Sequence, residues 1–327
     1  MLLVSTVASA LRAQKPEVSG FDLSLLEEGT TPVDLFFVRE HFPAPVLSSA
    51  GWKLSVGGAV ATPFEISFDD LAAQARQTLP VTLECAENPV AGGLVSHAEW
   101  SGASLAELLA KAQPAAGSRS VTLSGADSFS RSIPLAKALH PDTLIAHRMN
   151  GEKLPASHGF PLRAVIPGWY GMDSVKWLRS VEVLMGDVPT QGYSRQVRSL
   201  LTGVRPDGPV TAMNVKAVFS RPLDGAALQG RRFVVRGAAW AGENRVQLVE
   251  VSVDGGRSWR PARLSTDPKP YAWVHWSYDW TIQGAGSYAL AVRAVDDRGR
   301  RQPEERKTER VDEYEWNAIQ RVQVTIT

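Results

Sequence analysis

From about Val210 onward the chain reads as strands and turns with no helical pattern, and this change of texture limits the fold more than any other feature. Phe233-Val234-Val235-Arg236-Gly237 and Val246-Gln247-Leu248-Val249-Glu250-Val251-Ser252-Val253 have the β-branched content of strands. Asp254-Gly255-Gly256 follows as a hairpin-turn signal. Tyr288–Val295 and Arg321–Ile326 are further strand runs. Short strands at regular spacing predict an all-β, immunoglobulin-like sandwich. Residues 30–185 instead mix short strands with one or two helices, an α+β texture. Gly203–Pro209, with two prolines and two glycines, reads as the linker. A chain of 327 residues exceeds what one core usually organises. The expected division is an N-terminal segment 1–29, an α+β unit 30–209 and a sandwich 210–327.

Composition removes several classes of function. A net charge of +1 gives no electrostatic case for nucleic acid. No run approaches the roughly 20 apolar residues of a membrane helix. The single cysteine, Cys85, excludes an internal disulfide, cysteine-built zinc sites and iron–sulfur clusters. No CxxCH is present for covalent haem. By default a lone cysteine is a buried, inert small hydrophobe. Met1–Ala10 is apolar and ends in Ala8-Ser9-Ala10, like the tail of a secretory signal without its basic leader. It is read as an export-signal remnant, implying a periplasmic or exported protein; the other reading is a frayed helix on a cytoplasmic one.

The context of Cys85 is unusual. Val81-Thr82-Leu83-Glu84 reads as a strand that delivers Cys85 to its end, and Ala86-Glu87-Asn88-Pro89-Val90-Ala91-Gly92-Gly93 is a loop. Gly51–Gly58 reads as a strand, Ser67 as the cap of a short helix, and Ser104-Leu105-Ala106-Glu107 as a capping box opening another. Three more segments place reactive residue types in loops. These are Phe36-Phe37-Val38-Arg39-Glu40-His41, Ser157-His158-Gly159-Phe160-Pro161-Leu162-Arg163, and Gly168-Trp169-Tyr170-Gly171-Met172-Asp173-Ser174-Val175-Lys176-Trp177-Leu178. A thiolate beside a glycine-rich loop is a soft ligand open to close approach. Arg39, Arg163 and Lys176, with His41 and His158, suit a phosphate-bearing heteroaromatic cofactor. Each residue alone has a plainer use, such as a solvated surface charge or a structural hydrogen-bonder.

Taken together these segments resemble the sulfite oxidase family of molybdenum enzymes. Phe36–His41 is similar to the family's Phe-Val-Arg-Asn-His, and Leu83-Glu84-Cys85-Ala86-Glu87-Asn88 to its Leu-Gln-Cys-Ala-Gly-Asn. Met149-Asn150-Gly151-Glu152-Lys153-Leu154-Pro155, running into His158–Arg163, resembles its MNG-x-x-LP and HG-(F/Y)-P-x-R stretch. Val175-Lys176-Trp177-Leu178 resembles its VKWL. Val253-Asp254-Gly255-Gly256-x-x-Trp259, Ala272-Trp273-Val274-His275-Trp276 and Trp316-Asn317 resemble motifs of its dimerisation domain.

The resemblance implies a mixed α+β molybdopterin-binding domain followed by an immunoglobulin-like dimerisation domain. It implies one Mo-molybdopterin per chain, with Cys85 as the protein ligand to molybdenum. Phe37, Arg39, His41, Asp127, His158, Arg163, Ser174, Val175 and Lys176 would hold the cofactor, and Arg39 and Trp100 would line the substrate side. It implies two-electron oxygen-atom transfer in a homodimer. With no haem or cluster motif in the chain, a separate protein such as a c-type cytochrome would exchange the electrons.

Two departures bear on the substrate. Where the family carries a basic residue after the Cys-Ala-Gly-Asn stretch, this chain has Pro89-Val90-Ala91-Gly92-Gly93. The Tyr193–Leu200 segment places Leu200 where the family has a tyrosine, with Arg195 or Arg198 as replacement charges. Sulfite is the first substrate reading; another small oxyanion or a sulfoxide is the alternative. The rival class is a non-catalytic immunoglobulin-like binding protein with a degenerate cofactor domain.

Overall fold

The computed structural model describes residues 18–20, 22–25, 29–188, 208–306 and 312–327. The expected export remnant, the linker up to residue 207, and Tyr193–Leu200 with Arg195 and Arg198 lie outside the described residues.

Two five-stranded sheets build the first half. In one, Lys53–Gly58 lies between Phe64–Ser67 and Leu178–Leu184, and Ser120–Gly125 and Ser130–Pro134 follow. Lys53–Gly58 and Leu178–Leu184 run parallel, which brings the two ends of this half side by side. In the other, Gln77–Glu84 pairs with Val95–Ser104, which pairs with Leu144–Met149; the last also carries Glu152–Lys153 and Arg163–Val165. A core containing Leu54, Val56, Leu123, Ile145, Ala164 and Val181 joins both sheets.

Among the described residues the α-helices are three and short: Phe68–Gln74, Leu105–Ala112 and Leu135–Ala138. The Ser67 hydroxyl accepts from Asp70 N at 3.1 Å, and Ser104 from Glu107 N at 3.4 Å, so both sequence-read caps form. The second helix buries Leu105, Leu108, Leu109 and Ala112, one face at helical spacing. The expected α+β balance therefore shifts toward β: each helix covers part of a sheet for one or two turns, and the strands make the architecture.

The second half is a two-sheet sandwich. Lys216–Arg221, Arg232–Trp240, Val274–Thr281 and Arg263–Leu264 form one sheet. Ala226–Leu228, Gln320–Ile326, Gly286–Asp296, Val246–Ser252 and Arg260–Pro261 form the other. One core takes Phe219, Val235 and Trp276 from the first sheet and Val249, Leu290 and Val324 from the second. Gln320–Ile326 buries every second residue, as a strand with one wet face must. Asp254-Gly255-Gly256 turns the chain from Val246–Ser252 into Arg260–Pro261 through a longer loop than a two-residue hairpin; the Asp254 carboxylate accepts from Ser258 N at 2.9 Å and pins it.

The two halves meet beside the cysteine. Ala86, Val95 and Tyr170 of the first pack with Val210, Met213, Val218, Ala238, Trp240 and Trp273 of the second. Within this contact Lys216 Nζ donates to Glu84 Oε1 at 2.8 Å, and Trp240 Nε1 to Glu84 Oε2 at 2.8 Å. Lys216 also donates to the carbonyls of Asn88 at 3.2 Å and Pro89 at 3.0 Å. Glu84 and Lys216 are both buried and form an ion pair.

Candidate active site

The Gln77–Glu84 strand becomes fully buried over its last four residues and ends at Cys85. Cys85 N donates to Leu94 O and its carbonyl accepts from Asn88 N, both at 2.9 Å, so the turn that carries the thiol is fixed by backbone bonds. The Asn88 side chain ties the loop further, donating to Glu84 Oε1 at 3.0 Å and accepting from Leu94 N at 2.9 Å.

The thiol faces a cavity of about 770 Å³, mouth included. Phe37, Arg39, His41, Cys85, Asp127, His158, Arg163, Ser174, Val175 and Lys176 all line it, so five segments of the sequence converge on one space. Gly159, at φ +105°, lets the His158 turn approach: a Cβ there would sit 3.0 Å from Lys176 Cα.

Trp100 is a correction. It was expected on the substrate side, but it is fully buried in the core with Phe36, Leu83 and Met149 and does not line the cavity. Its register on the Val95–Ser104 strand turns it inward, and it reaches the site only through Arg163, whose guanidinium carbon lies 5.1 Å from the ring centroid.

Contacts order the cavity from end to end. At one end Lys176 Nζ donates to Glu40 Oε1 at 3.1 Å and to Ser157 O at 2.8 Å. Arg163 donates to His158 O at 3.3 Å, while its buried Nε finds no acceptor among the described residues. Burial lowers Arg163 to about 9. Burial, then repulsion from Arg163, lowers Lys176 to about 8 and His158 to about 4. Arg39 spans toward the other end: it donates to Glu40 O at 2.7 Å and pairs with Glu87 at 3.2 Å. There Cys85, Glu87, Met172 and Tyr314 face the cavity. His41 stacks on Phe129 at 4.9 Å; burial, then Arg39, lowers its pKa. Burial raises Asp127, whose carboxylate accepts from Phe129 N at 3.1 Å.

These residues fit molybdopterin. A buried guanidinium with an unpaired Nε beside a lysine suits an anion, which a phosphate supplies. Burial pushes the Cys85 thiol up to about 11, against a lowering backbone hydrogen bond at Glu87 and the nearby Arg39 charge. A coordinated metal cation reverses that by ionising the thiol outright. Among the described residues no three His, Cys, Asp or Glu side chains converge on a metal-sized point.

Sequence reading missed Glu87, Met172 and Tyr314 as cavity residues, and Glu84, Lys216 and Trp240 as the clamp behind it. Glu84 and Glu87 carried a signal, since they stand where the matched family motif has glutamine and glycine. Tyr314 carried none: it comes from the second half of the chain.

The fold and cavity are those of a molybdopterin-binding oxidoreductase. The family model for the oxidoreductase molybdopterin binding domain matches residues 41–192, and that for the Mo-co oxidoreductase dimerisation domain matches residues 208–327. Sulfite oxidase of Gallus gallus is 33% identical over 318 residues, covering 86% of this chain and 69% of its own length. The NADPH nitrate reductase of Aspergillus niger is 32% identical over 344 residues, covering 84% of this chain and 39% of its own. The crystal structure of the sulfane dehydrogenase SoxCD from Paracoccus pantotrophus matches with a TM-score of 0.84 at 28% identity, covering 98% of this chain and 86% of that one. The chain spans 58% of the length of the primate mitochondrial sulfite oxidases it matches. This chain belongs to the sulfite oxidase family of molybdenum enzymes.

Proposed function

We propose that this enzyme transfers an oxygen atom to or from a small sulfur oxyanion, with sulfite as the leading substrate. The observation that carries the reading is one cavity lined both by the lone thiol and by Arg163, whose buried Nε lacks a partner among the described residues. When bound, molybdopterin supplies two-electron oxygen-atom transfer. Cys85 Sγ would hold the metal. Arg163, Lys176 and His158 would hold the phosphate, and Phe37, His41, Asp127, Ser174 and Val175 would shape the walls. Arg39 would bind the substrate beside the metal.

A second reading is favoured by Glu87, which already balances Arg39. A neutral sulfoxide fits such a wall better than a dianion. The chain would carry one cofactor, pair as a homodimer through an immunoglobulin-like 210–327 unit after a 30–209 cofactor unit, and pass electrons to a separate protein such as a c-type cytochrome. Support for the pairing is the match to a dimerisation domain. An exported location agrees with that partner. Among the described residues no helix is long and apolar enough to cross a membrane.

The test is metal analysis with turnover of sulfite and of a sulfoxide. Wild type should hold close to one molybdenum per chain. Cys85→Ser should lose activity to background while its melting temperature holds. Full activity in Cys85→Ser, or metal-free wild type from a molybdenum-replete host, would overturn the reading.

A further inference from the structure

Among the described residues, every side chain lining the cavity lies between Phe37 and Trp177 except one, Tyr314. It enters from the C-terminal half on a segment built to hold it there. Glu315 N donates to Ala86 O at 2.8 Å, so this segment is bonded to the residue next to Cys85. Glu315 adopts a left-handed φ of 58°, which a non-glycine residue takes up only where its surroundings hold it. Asn214 Nδ2 donates to Glu315 Oε1 at 3.3 Å and supplies part of that hold. Tyr314 N donates to Asp312 Oδ1 at 3.1 Å, and Arg306 donates to the Tyr314 carbonyl at 3.3 Å and to the Asp312 carbonyl. Arg306 in turn stacks 3.9 Å from the Trp316 ring centroid. The Tyr314 ring, like Met172, packs against the cluster that holds Ala86 and Tyr170.

We propose that Tyr314 is a substrate-binding residue lent to the site by the C-terminal half, its phenol donating a hydrogen bond to an S–O oxygen of the substrate beside Cys85. The inference deepens the proposed function and rests on that reading for the class of substrate. Chemistry favours this donor. The cavity wall near Cys85 offers an Arg39–Glu87 pair, the thioether of Met172 and this phenol. A sulfite, a sulfate and a sulfoxide all present S–O oxygens that accept, and a neutral phenol donates to each without adding charge. A phenol's ordinary pKa of about 10 keeps its proton on the oxygen across the physiological range.

The experiment is calorimetric titration of the molybdenum-loaded enzyme with sulfate and, separately, with dimethyl sulfoxide. Steady-state kinetics with sulfite and the same sulfoxide run beside it. Tyr314→Phe keeps the ring and its packing. It should weaken binding of whichever ligand the wild type takes by roughly three- to ten-fold, the scale of one neutral hydrogen bond. KM for the matching substrate should rise by a similar factor, with molybdenum content unchanged. A purely structural tyrosine would leave the dissociation constants where they were, and that result overturns the inference. So does a wild type that binds neither ligand. If wild type binds sulfate or sulfoxide, Tyr314→Phe weakens it, and neither sulfite nor sulfoxide turns over, the inference stands and the substrate reading falls.

Discussion

The two ends of the cavity solve opposite electrostatic problems. At the Arg163 end, a buried guanidinium, Lys176 and His158 sit together with Glu40 as the carboxylate bonded to Lys176, and Arg163 keeps a buried Nε unbonded. At the Cys85 end, Arg39 is already matched by Glu87. The first end is costly while empty and is repaid when an anion arrives; the second is balanced beforehand and gains little from added charge. A site holding a permanent cofactor can be built the first way, because it is filled for the life of the protein. A site that exchanges substrate at every turnover benefits from the second.

The largest expected effect separating the ends is the pH response of the cofactor-free protein. Burial, then Arg163, holds His158 at about 4, below the ordinary 6.5. Between those values the unfolded chain binds the proton and the folded chain does not. The contribution of His158 is therefore complete above pH 6.5 and is lost as pH drops toward about 4, by up to about 3 kcal/mol; buried His97, held at about 3, adds a slope of the same sign that cofactor loading leaves in place. Chemical denaturation of cofactor-free protein at stepped pH measures this. Loading the cofactor should flatten the slope, because a phosphate beside His158 favours its protonated form. An unchanged slope on loading would place the phosphate elsewhere.

Next comes Arg163→Met. It removes a buried cation that lacks a bonded partner at Nε while keeping a long side chain against Trp100. Cofactor-free protein should melt at the same temperature or higher, since an unpaired buried charge opposes folding. Cofactor occupancy should fall roughly ten- to hundred-fold, the worth of a charge-assisted hydrogen bond. Molybdenum content after dialysis reads it. Loss of stability with full occupancy would mean that Arg163 is a structural residue.

Much of this was legible from local sequence. Cys85 at a strand end, the caps at Ser67 and Ser104, and the strand run Arg321–Ile326 are short-range patterns, and the structure keeps each. Trp100 was placed on the substrate side by the family resemblance alone, and its face turns toward Phe36 and Met149 because the pairing register, which short-range pattern does not encode, decides it. Tyr314 and the Glu84–Lys216 pair depend on contacts between the two halves, and no periodicity within either half encodes those. Glu87 was visible as an acid in place of a glycine, yet its consequence depends on Arg39 lying 3.2 Å away in space.

That pair gives the smallest and most discriminating prediction. Glu87→Gln removes the negative charge beside Arg39 and keeps a similar shape. Both side chains are about a third exposed, so solvent screens the interaction and the effect is modest. If the balance at this end sets substrate charge, the freed Arg39 should lower KM for sulfite by roughly three- to ten-fold, about 1 kcal/mol. KM for a neutral sulfoxide should stay within two-fold, roughly the limit of a small surface-charge effect. The contrast between the two substrates matters more than either value, since a general disturbance of the Cys85 loop would move both together. A rise in sulfite KM would mean that Arg39 needs Glu87 to hold its pose, and the balanced end would then be a device of orientation rather than of charge.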